Sequence, residues 1–358
     1  MKAEAESQPA PFGVLLIDKP SGPTSHDVVA FVRWALRERA VGHCGTLDPA
    51  ATGMLVVCVG AATKLVEHLT GVDKRYRARF VLGRSTTTAD GEGETLVEQA
   101  VPVGVEDRVA DELAAMIGEL DLPPPAYSAI KLAGRRAHEL ARAGEVVDMP
   151  LRRMLIHALE AIEVARDPER SDRVLVDATL DVGKGTYVRS IAEALGRRLG
   201  VPAHLGGLRR LACGPLDLQR PEAVSGLIAE SLGSAPGQGP RWRIHLGESG
   251  EAGRAMAGQV LRDRLIMPWT CLPFETRVLV ESEASTGLLA YLLAHLRNGQ
   301  RMKFDARARA ALGLADVDGP CAVALPDTGE LLIAGRREGR LAPDRWIRFE
   351  PIRPAPRG

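Results

Sequence analysis

The sequence predicts an α+β protein, in which a large body of mixed strands and helices is followed by a small β-domain. Apolar runs of strand length, such as GVLLIDKP from Gly13 to Pro20, are interspersed with segments of helical periodicity. KRYRARFVLG, from Lys74 to Gly83, alternates apolar and polar residues as a half-buried strand does. Near the C-terminus, the short strand-like pieces CAVALP, ELLIAG and RWIRFE are separated by turns, which is the pattern of a small β-domain.

The composition is that of a globular protein. The chain has 358 residues, of which 45% are hydrophobic and 26% charged, so it can bury a full core and fill two domains. No apolar run approaches the roughly 20 residues that a membrane helix needs. The polar N-terminal segment MKAEAESQPAPF, residues 1–12, has no signal-peptide core. We expect a loose, disordered tail there, no membrane association and a cytoplasmic location.

The five cysteines are scattered along the chain, without the spacing of a metal site. They are expected to be reduced thiols in a cytosolic protein. His43 and Cys44 are adjacent, but no second pair of ligands accompanies them, so the sequence predicts no metal centre.

The charge distribution is uneven although the formal net charge is zero. Residues 90–121 contain ten acidic side chains and one basic one, a net charge of −9, so the rest of the chain carries +9. Residues 289–358 contain twelve basic and eight acidic side chains, a net charge of +4. An acidic patch and a separate basic face would suit a polyanionic partner. Runs of charge are more often solvated surface, and both interpretations stay open at this point.

Further elements follow from local patterns. A helix after the SGPTS turn is predicted with Thr24 or Ser25 as its cap, and MLVVCVG and HLGGLRRLACGPL are predicted as strands. In KRYRARFVLG, Tyr76 lies on the apolar side and the arginines lie on the other, where a solvated edge is their commoner role. GRRAHELARAGEVV predicts a short basic helix, and GKGTYVRS is a strand-to-helix turn that places Tyr187 and Arg189 at a helix N-terminus.

The loop VGHCGTLDPAATG, from Val41 to Gly53, presents a single carboxylate, Asp48, with a histidine five residues before it. Asp-Pro followed by Ala-Ala is how a helix often begins, with the Asp as its cap and Pro49 in the first turn. The stretch by itself favours this capping role. A catalytic role for Asp48 needs support from elsewhere in the chain.

Six sequence blocks, in order between Gly13 and Ala229, resemble the TruB family of pseudouridine synthases: GVLLIDKPSGPTSHD, GHCGTLDPAATGMLVVCVGAATKL, DKRYRARFVLG, PPPAYSAIK, GKGTYVRSIAEALG and LGGLRRL. The C-terminal fragments LRNGQ and GRLAPDRW resemble the PUA-like RNA-binding domain that ends many members. The resemblance implies a pseudouridine synthase fold, with a long mixed, largely antiparallel sheet, flanking helices and a central cleft. It also implies isomerisation of uridine-55 in the T loop of tRNA to pseudouridine.

The same resemblance divides the chain into regions. The catalytic domain is expected over 13–232, with an acidic insertion at about 90–121 and a basic, RNA-contacting segment at about 126–150. A connecting region is expected over 233–288, and the PUA-like domain over 289–358.

The resemblance implies a role for each matching site residue. Asp48 is the catalytic aspartate, Tyr76 stacks on the target base, and Arg189 pairs with the catalytic carboxylate. The residues expected to bind the substrate or to shape its pocket are His43, Tyr187, Leu208, Lys19, Pro20, Lys131, Arg135, Arg136 and Arg142. For Tyr187 a role in the apolar core stays open.

These residue types suit the chemistry. Breaking the bond from base N1 to ribose C1′ and rejoining the base through C5 needs a carboxylate as nucleophile or base, and neither redox chemistry nor phosphoryl transfer. No cofactor is therefore expected. Desolvation would drive Asp48 toward its neutral form, and the Arg189 guanidinium opposes that shift. A second acid nearby would raise the pKa of Asp48. The match to the family departs at Thr87 and Ala89, which lie in a loop that often carries a further Asp in the family.

The expected partner is the T stem-loop of tRNA, bound by a monomer that needs no protein partner. Three alternatives stay open: a tRNA-folding chaperone of the same fold without essential turnover, a guided synthase acting on ribosomal RNA, and a hydrolase with Asp48 as nucleophile. The hydrolase is the weakest of the three, because the sequence lacks a second acid or metal ligands at usable spacing.

Overall fold

The structure of the chain, a computed structural model, describes residues 10–352 apart from 129, 133–134, 138–139, 141–147, 235–238, 286, 316–317 and 339. At positions 131, 132, 136 and 281 it describes the backbone only. Arg142, one of the residues expected to bind RNA, lies outside the described residues.

The strands and helices are numbered in chain order. The strands are β1 (Gly13–Lys19), β2 (Val41–His43), β3 (Thr52–Val59), β4 (Lys74–Leu82), β5 (Arg84–Thr86), β6 (Thr95–Glu98), β7 (Gly118–Leu122), β8 (Lys131–Leu132), β9 (Arg135–Arg136), β10 (Arg152–Arg166), β11 (Val174–Val182), β12 (Ala203–Cys213), β13 (Leu216–Asp217), β14 (Leu227–Ser234), β15 (Pro240–Leu246), β16 (Thr276–Val278), β17 (Met302–Lys303), β18 (Gly319–Leu325), β19 (Glu330–Arg337) and β20 (Arg340–Arg348). The α-helices are α1 (Ser25–Leu36), α2 (Val66–Thr70), α3 (Glu106–Ala114), α4 (Val188–Leu199), α5 (Gly250–Asp263), α6 (Glu281–Ala284), α7 (Gly287–Arg297) and α8 (Ala306–Leu312). Short 3₁₀ helices span Gly60–Leu65 and Pro268–Thr270.

The large sheet has nine strands within the described residues, in the order β1-β3-β12-β4-β11-β10-β7, with β2 beside β3 and β13 beside β12. β3 and β12 run parallel, and the other neighbours on this path are antiparallel. The mixed, largely antiparallel sheet implied by the sequence resemblance is confirmed. The alternation predicted for β4 is also present, because Tyr76 and Phe80 are buried whereas Arg77 and Arg79 are exposed.

One row of paired residues crosses five strands at the centre of this sheet. Lys19 pairs with Gly53, Gly53 with Arg210, Arg210 with Tyr76, and Tyr76 with Leu180. Directly paired residues point to the same side of a sheet, so these side chains share one face, called here the front face. The row is a mixture of cations and apolar groups in the middle of a buried sheet, which is unusual for a purely structural core.

Two helical layers cover the front face on either side of this row. α1 and α5 pack on the β1 and β3 side, against Leu15, Ile17 and Leu55. α3 and α4 pack on the β4 and β11 side, against Phe80 and Val176. α1 begins where the sequence allowed, after Thr24, whose hydroxyl accepts a hydrogen bond from the backbone N–H of Asp27. The centre of the front face lies between the two layers, in the position expected for a cleft.

The back face of β1 and β3 is covered by the C-terminal body, residues 276–352. Its five-stranded sheet has the order β16-β18-β19-β20-β17. Ile333 and Ile347 from this sheet share a buried core with Leu16 and Val56 of the large sheet. Residues 276–288, expected to belong to a connecting region, contribute β16 and α6 to this body, because their apolar side chains pack in its second core.

The rest of the expected connecting region is folded as well. β14 and β15 form an antiparallel hairpin, and Ile244 and Leu246 of β15, with Ala257 and Leu261 of α5, pack beside α1. At the other end of the chain, Phe12 belongs to the segment expected to be a loose tail. Its ring stacks on Phe349 with 4.3 Å between centroids.

One local prediction was wrong. Asp48 and Pro49 do not begin a helix: the backbone N–H of Ala51 donates to the Asp48 carbonyl at 3.1 Å in a turn, and the chain enters β3 at Thr52. Here tertiary pairing overrides the local helix signal. Of the basic helix predicted over 134–147, Arg135 and Arg136 form β9, which pairs with β8, whereas Ala137 and Leu140 are helical; the rest of that stretch lies outside the described residues.

The acidic segment does not form a free acidic patch. Glu98 pairs with Arg170 and Arg173, and Glu106 pairs with Arg166. Glu112 likewise contacts two arginines. The charge run is therefore partly neutralised by arginines from distant parts of the chain. Among the described residues, no helix is long and apolar enough to cross a membrane.

Candidate active site

The loop between β2 and β3 carries Asp48 to the edge of the central row. Ser25, the first residue of α1, holds this loop through two hydrogen bonds with the backbone of Leu47, at 2.9 and 3.1 Å. Leu47 is buried in the core beneath α4. The Asp48 side chain is 40% exposed, so it is anchored by its neighbour while its carboxylate stays accessible.

Arg189 lies opposite Asp48, as predicted. Its guanidinium is 3.1 Å from the Asp48 carboxylate, and its side chain is only 9% exposed. It also donates to the carbonyl oxygens of Thr88 and Tyr127, at 3.1 and 3.2 Å. Arg189 is the second residue of α4, where the helix dipole disfavours a cation. The surrounding oxygens offset that cost and fix the guanidinium in place.

A second carboxylate shares Arg189, contrary to the expectation that Asp48 has no acidic neighbour. Asp90 lies 3.4 Å from the other terminal nitrogen of Arg189, with its side chain 15% exposed. Partial burial and the nearby charges of Asp90 and Asp48 raise the pKa of Glu92. The loop that contains Thr87 and Ala89 therefore does carry an Asp, namely Asp90, which directly follows Ala89.

Arg210 is a site residue that sequence reasoning missed. It is 1% exposed and lies between Gly53 and Tyr76 in the central row. Its guanidinium donates to the carbonyl oxygens of Met54 at 2.6 Å and Gly45 at 3.0 Å, and its charge lowers the pKa of Tyr76 against the effect of burial. These bonds tie both ends of the Asp48 loop to β12.

Gly53 is required where the Asp48 loop meets β12. Its φ is +96°, and a Cβ at this position would fall on the carbonyl oxygen of Arg210. Only glycine lets the two backbones approach so closely. The signal for Arg210 in the sequence was a charged residue two positions after Leu208, on the same side of a predicted strand.

Lys19 also supports the Asp48 loop from beneath. It is fully buried, and its ammonium group donates to the carbonyl oxygens of Pro20, Pro23 and Pro49, at 2.8, 2.8 and 2.9 Å. Burial lowers the pKa of Lys19 to about 8, and the Asp48 charge opposes that shift. The expected role of Lys19 and Pro20 in shaping the site agrees with this geometry.

His43 lies at the end of β2 beside the loop. Its ring meets the ring of His26 edge to face, with 5.3 Å between centroids. Burial, followed by the charges of His26 and Arg210, lowers the pKa of His43, so its ring is neutral at pH 7. Within the described residues its buried Nδ1 has no hydrogen-bond partner.

Tyr76 and Leu208 form the apolar part of the site. Tyr76 is 9% exposed, and Leu208 pairs with Ala78 on the neighbouring strand, which places it on the front face. Burial raises the pKa of Tyr76, so its ring is a neutral, flat surface. Tyr187 directly precedes α4 and is half-buried against a small cluster that includes Ile130. Its core role and its site role are therefore both compatible with its position.

The segment expected to contact RNA is attached to the site at its beginning. Ser190 of α4 donates to the Pro123 carbonyl at 2.7 Å, and Arg189 donates to the Tyr127 carbonyl. Arg135 is exposed on β9, and the backbones of Lys131 and Arg136 pair in the same short hairpin. In the part of the chain that the structure describes, no cluster of three or more His, Cys, Asp or Glu residues could hold a metal ion.

Comparisons with known proteins show which family the chain resembles. Residues 33–188 match the family model described as TruB family pseudouridylate synthase (N terminal domain). The chain is 43% identical over 225 residues to tRNA pseudouridine synthase B of Cupriavidus pinatubonensis, covering 63% of this chain and 70% of that protein. It is 42% identical over 222 residues to the protein of the same name from Bacillus licheniformis, covering 61% and 71%.

The fold is similar to solved structures of larger assemblies. A chain in a Cbf5–Nop10–Gar1 complex has a TM-score of 0.57 and 22% identity, covering 93% of this chain and 83% of that chain. A chain in the archaeal box H/ACA sRNP Nop10–Cbf5 complex has a TM-score of 0.57 and 20% identity, with 96% and 87% covered. At these identities the likeness shows the shared fold, including a C-terminal body beside the large sheet.

Proposed function

The chain belongs to the TruB family of pseudouridylate synthases, and we propose that it isomerises uridine-55 in the T loop of tRNA to pseudouridine. The observation that carries this proposal is the pair of Asp48 and Arg189. An accessible carboxylate lies 3.1 Å from a buried guanidinium, beside the central row of the sheet and between two helical layers.

Asp48 is the reacting group in this proposal. The reaction breaks the bond between base N1 and ribose C1′, turns the base, forms the bond between C5 and C1′, and releases the C5 proton. A carboxylate can start it as nucleophile or base only while it is ionised. The positive charge of Arg189 favours that form, and its bonds to Thr88 and Tyr127 hold it in place for the purpose.

The remaining site residues would receive the base. A uridine stacked inside folded RNA has to leave its stack before its C1′ and C5 can be reached. Tyr76 offers a flat surface for the base, and Leu208 and Tyr187 border it. His43, with a neutral ring and an unsatisfied buried nitrogen, would pack against the flipped nucleotide.

RNA affinity would come from basic groups around the cleft. Lys131, Arg135, Arg136 and Arg142 lie in the segment that is attached to Arg189. Residues 289–358 add a net +4 and belong to a PUA-like body. Phosphate contacts of this kind position the RNA and take no part in the chemistry.

We propose that the enzyme acts on its own, as a monomer in the cytoplasm. The relatives named tRNA pseudouridine synthase B, at about 43% identity, support a tRNA substrate more strongly than the Cbf5 chains, at about 20%, support a guided one. The catalytic site would also be complete in one chain.

The test is release of tritium from tRNA labelled at uridine C5, because the new carbon–carbon bond expels that hydrogen. The purified chain should release tritium from a tRNA transcript without any guide RNA or added cofactor. A tRNA with cytidine at position 55 should give none above background. A folded protein that binds tRNA but releases no tritium would be a chaperone of this fold, and the proposal would be wrong.

A further inference from the structure

A cavity of about 580 Å³ lies between α1 and β15, outside the catalytic site. Its lining includes the aromatic side chains of Phe31, Trp34 and Trp242, and the polar side chains of Asp27, Arg243 and His245. This volume is in the range of pockets that hold small ligands or single groups of larger ones. Aromatic rings and polar side chains in one cavity suit a flat, partly polar ring.

Trp34 also borders a second concavity, of about 530 Å³. That concavity is lined by the charged residues Arg33, Arg37, Glu38 and Arg39. Trp34 is 41% exposed, which is a large exposed fraction for an indole at the surface of a helix. Trp34 thus lines both an aromatic cavity and a basic one.

Arginines outnumber carboxylates in the lining of the two cavities. The two cavities together contain four arginines and two carboxylates. Asp27 is already used, since its carboxylate accepts hydrogen bonds from the backbone and hydroxyl of Thr24. Arg37 and Arg243 reach glutamates at 3.4 and 3.7 Å. Both are exposed pairs of the kind that contributes little, so a phosphate can take the place of the carboxylate.

The cavity adjoins the catalytic loop. The Trp242 ring lies on Gly22: a Cβ at position 22 would be 2.5 Å from the indole. The φ of Gly22, +107°, also favours glycine there. The backbone N–H of Gly22 donates to the Pro49 carbonyl at 2.9 Å, one residue from Asp48. α1 and β15 also pack on the front face. The cavity therefore adjoins the segment that is hydrogen-bonded to the loop carrying Asp48.

We propose that Trp34 and Trp242 form a second RNA-binding subsite, which takes one unstacked nucleobase while the neighbouring arginines bind the adjoining phosphates. Indole rings are good stacking surfaces for every base, and stacking tolerates differences in sequence. Arginines beside them supply the salt-dependent part of the affinity. The identity of the RNA as tRNA rests on the proposed function, whereas the affinity of the subsite for RNA does not.

The experiment measures binding of two probes to the full chain: a fluorescent single-stranded oligoadenylate and a tRNA transcript. Trp34→Ala should weaken binding of both by about fivefold or more, the loss of one stacked base. Arg39→Glu should weaken binding and flatten its dependence on salt. The matched control is Arg77→Glu, an exposed arginine on the opposite face of β4, which should leave both affinities within twofold. At saturating tRNA, all three variants should turn over at the wild-type rate.

Trp34→Leu covers the case in which Trp34→Ala does not fold, because it keeps apolar bulk on α1 but cannot stack. RNA affinities within twofold of wild type in Trp34→Leu and Arg39→Glu would overturn the proposal and leave the cavity to a protein partner. An equal loss in Arg77→Glu would also overturn it, since the effect would then be general charge. If the wild type releases no tritium, the proposed function fails, while the oligoadenylate measurement still decides the subsite.

Discussion

Arg189 and Arg210 are both buried arginines beside the same loop, but their partners differ. Arg189 contacts the carboxylates of Asp48 and Asp90. The side-chain hydrogen bonds of Arg210 go to backbone carbonyl oxygens. The first arrangement balances charge where the proposed reaction would take place. The second fixes the shape of the loop that carries Asp48.

The comparison shows how one site separates two tasks. Lys19 resembles Arg210, because its three N–H bonds also go to carbonyl oxygens. A buried cation with neutral partners is costly unless its donors are hydrogen-bonded. All three N–H groups of Lys19, and one N–H on each of the three guanidinium nitrogens of Arg210, donate to carbonyl oxygens. We therefore expect variants on the Arg189 side to change kcat, and variants on the Arg210 side to change stability as well.

The largest effect is expected for Asp48→Asn. The change is nearly isosteric and removes only the charge, so turnover should fall by about a thousandfold or more. Affinity for tRNA should stay within a few fold of wild type. Single-turnover tritium release and filter binding would measure the two quantities. A variant that retains a tenth of the wild-type turnover would contradict the role given to Asp48.

Arg189→Met and Arg210→Met test the comparison directly. Arg189→Met should lower kcat by about a hundredfold or more, because the Asp48 charge loses its nearest cation. Its fold should survive. Arg210→Met leaves buried carbonyl oxygens without donors and should lower the free energy of unfolding by about 3 kcal/mol or more.

Urea unfolding and tritium release on both variants would measure this difference. The division of tasks fails if Arg189→Met is the less stable protein and Arg210→Met is as stable as wild type.

Asp90→Asn should have a smaller effect on kcat, of about tenfold. The amide keeps the shape but holds Arg189 less firmly, so the guanidinium is less well aligned with Asp48. An unchanged kcat would mean that Asp90 has no part in the site.

The smallest effect concerns the pH dependence of Lys19. Its pKa is lowered to about 8 in the folded chain from 10.5, so between these values the unfolded chain binds more protons. The cost of burying the charge is therefore fully present below pH 8 and is relieved as the pH rises. Relative to Lys19→Met, wild type should gain about 2 kcal/mol of stability from pH 8 to pH 10.

Activity should fall over the pH range in which stability rises, because neutral Lys19 has one N–H donor fewer and holds the Asp48 loop less firmly. Wild-type kcat should decline a few fold above pH 8. Thermal melts and rates across this range would show both trends, and parallel changes in stability and rate would contradict them.

Much of the fold followed from local patterns, and the failures have physical causes. The alternation in β4 placed Tyr76 correctly, and Thr24 was one of the two caps expected. The Asp48 turn was mistaken for a helix start because its pairing with β12 lies far along the chain. The sequence does not show which of Arg209 and Arg210 is buried, because that depends on the register between β12 and β3. Asp90 was missed because its loop reaches Arg189 through tertiary packing alone.

The central claim is that Asp48 isomerises one uridine, at position 55 of tRNA. The direct measurement is carbodiimide labelling of pseudouridine, mapped by reverse transcription, on unmodified tRNA treated with wild type or Asp48→Asn. We expect one new stop, at position 55, with wild type and none with the variant. A stop at another position, or the same stop with Asp48→Asn, would contradict the account.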